Sequence, residues 1–293
     1  MKNINLAHSE NSDISYRINT YPDGEIKVEL SEIDHKESYK VITRVNNAGD
    51  LFLLMQINDV LTRNEVEWEL DILYLFTGRN DRIMSYTAPL NLKIVTDIIR
   101  NFSCCGISIL EPHSYATLSR LQVGGRAAGR LSVVQFFRDL LFRNNYDLIV
   151  FPDEGAYKKY QGECAVYLNA TTSHGIKYRD VLNGEIYKYS VDIQGYNGIK
   201  NKDSIKVCVI DDLCDGGRTF ELCAEAITEG LNKKGLAIEL LDLCIAHAIQ
   251  EAGLRKLSPI YSNIYTTDSF RDYSDCGISN LHIVSIGEVR IND

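Results

Sequence analysis

No run of 18 apolar residues occurs anywhere in the 293-residue chain, so no segment reads as a membrane-spanning helix. The opening MKNINLAHSENSD lacks the apolar centre that a secretory signal needs. No C-x-x-C pair is present, which removes the commonest zinc and redox spacings. The eight cysteines are scattered, and Cys208, Cys214, Cys223 and Cys244 fall on strand or helix faces where a thiol packs as a small hydrophobe. Reduced thiols in a cytoplasmic protein are the expectation. Basic charge is in deficit: 31 Lys and Arg stand against 40 Asp and Glu, a net charge of −9. That balance argues against non-specific nucleic-acid binding and against adhesion to anionic membranes, both of which need a basic face. A small anionic substrate stays open, because a local cluster of cations and backbone N–H groups can outweigh the global field. There is no fixed-period repeat and no low-complexity tract.

What is present is ordinary for a soluble globular enzyme: 45% hydrophobic and 24% charged residues. The length favours two domains. From residue 39 buried runs alternate with helical patterns. YKVITRV reads as a strand, and DLFLLMQINDVLTRN as a helix on the spacing of Leu51, Leu54, Met55, Asn58 and Leu61. WELDILYLF is a strand, LNLKIVTDIIRNF a helix, GISILEPH a strand and LSVVQFFRDLLFRN a helix. YDLIVFPDEGA reads as a strand and loop, CAVYLNAT as a strand, and 171–203 as a polar stretch without a clear period. KVCVIDD is a strand and TFELCAEAITEGLNKKG a helix ending at Gly235; IELLDLCIAH, SNIYTTDSF and NLHIVSIG complete the strands. Such alternation means α/β architecture with a parallel or mixed sheet, and there are strands enough for two. The joint is expected at VGGRAAG, giving domains 1–125 and 126–293, the last strand free to return to the first domain.

In open α/β sheets ligands lie beyond the carboxyl ends of the strands. GRNDR, EPH, PDEG and DDLCDGGRT each follow a buried run. In KVCVIDDLCDGGRTFELCAEAI (206–227), Asp211 and Asp212 can accept hydrogen bonds from the two hydroxyls of a vicinal diol. Asp215, Gly216, Gly217, Arg218 and Thr219 then form a tight loop opening a helix, where backbone N–H groups and the helix dipole suit an anion. A diol clamp beside a phosphate cradle is a ribose-phosphate site. The plainer alternative is a helix start capped by Asp215 or Thr219.

DDLCDGGRTF resembles the ribose-phosphate loop of the type I phosphoribosyltransferase fold. The remainder is similar to the ribose-phosphate diphosphokinases, the phosphoribosyl pyrophosphate synthetases. YPDGEIKVEL resembles their F-x-D-G-E segment, FTGRNDRIM their A-R-Q-D-R, LEPHS their D-L-H-A, FPDEGAYKKY their P-D-x-G-G-x-x-R, and IKYR a K-x-R spacing on a catalytic loop. CIAHAIQEAG and IYTTDSF resemble T-H-x-x-x-x-x-G and T-N-S/T-I. The resemblance spans residues 21–270 in order, and no single block is specific alone.

It implies two tandem type I phosphoribosyltransferase-like domains, each a mainly parallel sheet flanked by helices. It also implies transfer of the diphosphoryl group of ATP to the anomeric 1-OH of ribose 5-phosphate. On that likeness Asp211 and Asp212 bind the ribose hydroxyls and Asp215 to Thr219 its 5-phosphate. Lys177 and Arg179 neutralise charge on the transferred group, while Arg79, Asn80, Asp81 and Arg82 face the ATP phosphates. His113 and Asp153 hold magnesium. Tyr21, Asp23 and Glu25 reach the adenine of a neighbouring subunit, which implies a homo-oligomer, a dimer or hexamer. Taken alone, Lys177 and Arg179 also fit a solvated charge pair, and PDGE a β-turn.

The pattern departs from the family in three places. Arg218 stands where a small residue precedes Thr, Ala156 and Lys159 (or Lys158) replace the second Gly and the Arg of P-D-x-G-G-x-x-R, and Asn80 replaces Gln. An Arg in the 5-phosphate cradle fills the space of a simple monoester. It raises the alternative of an extended acceptor such as ADP-ribose, with ADP-ribose pyrophosphate as product and a place in NAD metabolism instead of nucleotide biosynthesis. A phosphoribosyltransferase would not need the ATP-like blocks. A regulatory or binding homologue without activity should have lost Lys177, Arg179 or the carboxylates, and has kept them.

Overall fold

The computed structural model of the chain describes residues 1–122, 125–168, 170–179, 186–193 and 202–286, with backbone only at Arg179, Ile186 and Tyr187. The chain divides into two compact units, Met1–Ser132 with Ile286–Asp293, and Val133–Ser285.

The first unit contains β1 (Lys2–Asn5), β2 (Tyr16–Thr20), β3 (Ile26–Leu30), β4 (Tyr39–Val45), α1 (Ala48–Arg63), β5 (Trp68–Leu75), α2 (Asn91–Ile99), β6 (Gly106–Leu110), α3 (Tyr115–Leu121) and β7 (Ala127–Leu131). Its five-stranded sheet runs β1-β4-β5-β6-β7, parallel throughout, and β2 and β3 form a separate antiparallel hairpin. From β4 to β7 the strands advance in one direction. Right-handed crossovers therefore put α1, α2 and α3 on one face. There Leu54, Ile57, Leu92 and Ile99 pack on Val41, Leu70, Ile72 and Ile107.

In α1 the Asn47 side chain caps the N-terminus by accepting from Gly49 N and Asp50 N, and the buried residues are Leu51, Leu54, Ile57 and Leu61. Met55, expected on that face, is 38% exposed. The joint lies later than expected from VGGRAAG. Residues 127–131 pair with β6 as the last strand of the first sheet, because Ala128 and Leu131 continue its register.

The second unit adds α4 (Val133–Phe136), α5 (Arg138–Asn144), β8 (Leu148–Phe151), α6 (Glu154–Tyr167), β9 (Thr171–Arg179), β10 (Ile186–Val191), β11 (Ser204–Cys214), α7 (Arg218–Asn232), β12 (Ala237–Ala248), α8 (Glu251–Leu257), β13 (Asn263–Thr267) and β14 (Leu281–Val284). The sheet order is β10-β9-β8-β11-β12-β13-β14. All neighbours are parallel except β9 and β10. The chain leaves β8 in one direction, through α6 to β9, and leaves β11 in the other, through α7 to β12. The topological switch point therefore lies between β8 and β11, where an α/β sheet opens a crevice. Each face has its own core. Phe137, Tyr160 and Cys164 pack on Ile149, Cys208 and Ile210, and Phe220, Ile227 and Leu254 pack on Val150, Val207 and Val209.

Three local expectations change here. LSVVQFFRDLLFRN is two short helices after the end of β7, not one helix. CAVYLNAT is not a strand: Cys164–Tyr167 finishes α6, in which Ala156, Tyr160 and Cys164 are buried at the four-residue spacing of a helix face. The stretch 171–203 holds β9 and β10, an antiparallel arm whose Tyr and Gly content conceals its period. The last strand, β14, stays beside β13 in the second sheet. Among the described residues no helix is long and apolar enough to cross a membrane.

Candidate active site

In the second unit the crevice at the switch point collects the sequence-marked residues. β11 extends to Cys214, so Asp211 and Asp212 lie within the strand, not past its end. Its pairing with β8 stops at Val209↔Val150, while pairing with β12 continues to Cys214↔Ala248. The two carboxylates therefore stand beyond the carboxyl end of β8 on a strand still anchored at its other edge. The pleat sends successive side chains to opposite faces. Asp212, 6% exposed, turns toward α6 and meets Lys159, Nζ to Oδ2 3.5 Å. Asp211 points to the opposite side, the face on which Val207 and Val209 of the same strand pack against Phe220 and Ile227 of α7. Burial, then the carboxylates of Asp212 and Asp153, push the Asp211 carboxyl well above its usual range.

Asp153 follows β8 and caps α6, accepting from Ala156 N at 3.0 Å. Its other oxygen accepts from Lys177 Nζ at 2.8 Å. Burial alone would raise this carboxyl. The Lys177 ammonium and the Ala156 N–H outweigh it and hold Asp153 below the usual carboxylate value. Lys177 arrives because β9 pairs with β8 only from Thr171 to His174 and then runs past its end beside β10. Tyr189 of β10 donates to Pro152 O at 2.8 Å, tying that arm to the turn carrying Asp153. Arg179 closes β9, and its side chain lies outside the described residues.

The loop 215–219 leads into α7. The cap position is Gly217 at φ +80, not Asp215 or Thr219. A left-handed backbone at the cap suits glycine, which brings no side chain of its own to the first-turn amides. Asp215 instead accepts from Gln250 Nε2 at 2.6 Å. Arg218 does not fill the loop. It is 65% exposed and pairs with Glu221 at 3.3 Å, a carboxylate that also holds Lys256 at 2.5 Å.

In the first unit the marked residues gather at the carboxyl ends of β5 and β6. Arg79, Asn80, Asp81 and Arg82 follow β5. Asn80 Oδ1 accepts from Asn91 N at 3.1 Å and its carbonyl accepts from Leu92 N at 3.2 Å, so this residue also fixes the start of α2. Arg82 is 82% exposed and pairs loosely with Asp81 at 3.7 Å. His113 follows β6 and adjoins Gly78, its Cβ 3.6 Å from where a side chain at 78 would begin. Two non-glycine residues flank this region in the left-handed backbone region, Thr77 at φ 70 and Glu111 at φ 37. Such strain, of order 1–3 kcal/mol per residue, concentrates at functional sites. Tyr21, Asp23 and Glu25 occupy the exposed turn between β2 and β3, where Tyr21 N donates to Glu25 O at 2.8 Å and Glu25 N to Asp23 Oδ1 at 3.1 Å. The β-turn and an outward-facing contact are thus compatible.

The donor chemistry suits a hard divalent cation. Asp153 is held ionised, and each of its oxygens keeps acceptor capacity beyond the one hydrogen bond described. Among the described residues no group of three or more His, Cys, Asp or Glu side chains is placed to hold a metal. A sparse protein ligand set fits magnesium, which usually retains waters and substrate phosphates. His113 and Asp153 belong to different units.

The sequence does not mark Tyr189, Gly175 or Glu111, and Lys159 stands out in it only as a departure from a motif. Glu111 is buried with Arg130 Nη1 3.7 Å from it, in the block resembling D-L-H-A. Its burial was unreadable from one sequence.

No protein-family model matches the chain. The ribose-phosphate pyrophosphokinase of Aquifex aeolicus (strain VF5) is 23% identical over 239 residues, 79% of this chain and 71% of that protein. Among solved structures, phosphoribosylpyrophosphate synthetase from Mycobacterium smegmatis superposes with a TM-score of 0.77 over 98% of this chain and 96% of the other, at 14% identity. The α/β fold of the chain is the one that synthetase has, and in sequence the chain is similar to the Aquifex aeolicus ribose-phosphate pyrophosphokinase.

Proposed function

We propose that the protein transfers the diphosphoryl group of ATP to the anomeric 1-OH of ribose 5-phosphate, giving phosphoribosyl pyrophosphate and AMP. The observation carrying this reading is the crevice between β8 and β11. There Asp211 and Asp212, the Lys177–Asp153 pair and the glycine-capped start of α7 meet in one unit. Phosphoryl transfer needs positioning and charge neutralisation more than covalent help. Asp211 and Asp212 accept from the sugar diol, and the amides opening α7 receive the 5-phosphate. Lys177 is preset by Asp153 and offers its ammonium to the transferred group, with Arg179 two residues along the same strand. Arg79 and Arg82 suit the ATP phosphates, since a guanidinium grips them bidentately. Magnesium, held by Asp153 together with phosphate oxygens, would supply charge neutralisation when bound. Tyr21, Asp23 and Glu25 are all exposed, as contact with a nucleotide on another subunit of a homo-oligomer requires.

The outward pairing of Arg218 with Glu221 supports the simple acceptor over ADP-ribose, because the cradle is not occupied by the guanidinium. The test is AMP release from ATP and magnesium with each acceptor offered separately and products identified by mass. AMP with ribose 5-phosphate is the expected result. AMP only with ADP-ribose would assign Arg218 and Lys256 to a second phosphate. AMP with neither would leave a binding or regulatory homologue.

A further inference from the structure

Three acidic side chains and two ammonium groups face the crevice. Asp153 comes from the β8–α6 turn, Asp211 and Asp212 from β11, Lys177 from β9 and Lys159 from α6. Lys177 is engaged with Asp153 at 2.8 Å. Lys159 is engaged elsewhere. Its Nζ lies 3.5 Å from Asp212 Oδ2, with side chains only 10% and 9% exposed, and 5.1 Å from the Tyr160 ring centroid. Tyr160 is itself fully buried in the core that holds α6 on the sheet. The ammonium is thus carried on a rigid helix and stands at a buried carboxylate.

A carboxylate removed from water keeps its charge only beside a cation and hydrogen-bond donors. The side chain holding Asp212 must also leave it able to accept from a ligand. An ammonium is a compact charge that can hold one carboxylate oxygen and leave the other to a ligand. We infer that Lys159 is a positioning residue for the acceptor sugar: its ammonium fixes the Asp212 carboxylate in charge and orientation, and the carboxylate's further lone pairs take the sugar hydroxyl. This inference rests on the reading of Asp211 and Asp212 as the acceptor's diol site. It divides the two lysines by substrate, Lys159 serving the sugar and Lys177 the transferred diphosphoryl group.

The test combines steady-state kinetics with calorimetric titration of ribose 5-phosphate, using the full chain. Lys159→Met should raise the KM for ribose 5-phosphate at least tenfold while the KM for ATP moves less than twofold. Lys159→Arg should recover most of that loss. Because Lys159 acts through Asp212, Asp212→Asn and the double variant Lys159→Met/Asp212→Asn should lose acceptor affinity equally. The double variant leaves no orphaned charge, so it and Lys159→Arg decide the matter if Lys159→Met does not fold. A fall in kcat with both KM values unchanged, or additive losses in the double variant, would overturn the inference. Wild-type protein that fails to bind ribose 5-phosphate would overturn the functional reading and this inference with it. Wild-type binding that Lys159→Met retains unchanged would overturn the role of Lys159 alone.

Discussion

Single residues decide the electrostatics of this molecule. Lys177 is 15% exposed, but its partner Asp153 is 42% exposed, so water screens the pair and its contribution to stability is modest. The role proposed for Lys177 at the transferred group should matter far more. Lys177→Ala is expected to lower kcat by about 10²–10³, the usual loss when a preorganised charge donor is removed, with the melting temperature almost unchanged; calorimetry and AMP assays check both.

Asp71 behaves in the opposite way. It is buried on β5 with Lys40 Nζ 3.5 Å away, and among the described residues its Oδ1 has no hydrogen-bond partner. Burial, only partly opposed by Lys40, pushes its carboxyl from 3.8 to about 6. The folded protein therefore binds this proton more tightly than the unfolded chain does. Stability from this group is full below about pH 4 and is lost as the pH rises through 6, in all about 3 kcal/mol. Asp71→Asn should accordingly stabilise the protein at pH 8 by up to that amount. The gain should vanish near pH 4, which denaturant unfolding at the two pH values will show.

At the scale of elements, the arm formed by β9 and β10 carries Lys177, and β9 runs on past the end of β8. Gly175 is the point of contact. A Cβ there would overlap the Tyr189 hydroxyl and stand 2.8 Å from Pro152 O. Gly175→Ala should push Tyr189 off Pro152 and carry Lys177 away from Asp153. The expected cost is about 1–3 kcal/mol, typical of overpacking, with a fall in kcat larger than that stability loss implies. Paired melting curves and assays separate the two effects. The start of α7 works differently, since its glycine cap shapes the loop through backbone conformation alone. Asn80, by contrast, joins an element to a site, because its carboxamide oxygen fixes α2 while its neighbours Arg79 and Asp81 remain in the loop.

On the scale of the whole molecule, two sheets bury their cores independently, and that burial sets the chemistry of the thiols. All eight cysteines are free; seven are buried and Cys105 is exposed. Burial pushes Cys104 up to about 11 and Cys164, Cys214 and Cys223 up to about 12. Only the thiolate reacts. One thiol per chain should therefore react rapidly with an aromatic disulfide reagent in the native protein, and eight after denaturation. More than one rapid thiol would mean that a core opens on the timescale of the assay.

The amino-acid order alone determined the α/β alternation, the placing of GRNDR, EPH and PDEG after buried runs, and the glycine-rich start of α7. These are local facts, written in periodicity and in the residues that follow each buried run. It misplaced the joint, because β7 carries too little apolar character to be read as a strand. It also missed β9 and β10, because an arm that pairs with itself beyond a sheet needs no buried face along its whole length. Tertiary structure alone decided which cation meets which carboxylate. Lys159 reaches Asp212 across 53 positions and Lys177 reaches Asp153 across 24. Such pairs depend on where parallel strands stop in register, and a chain read in order contains no record of that.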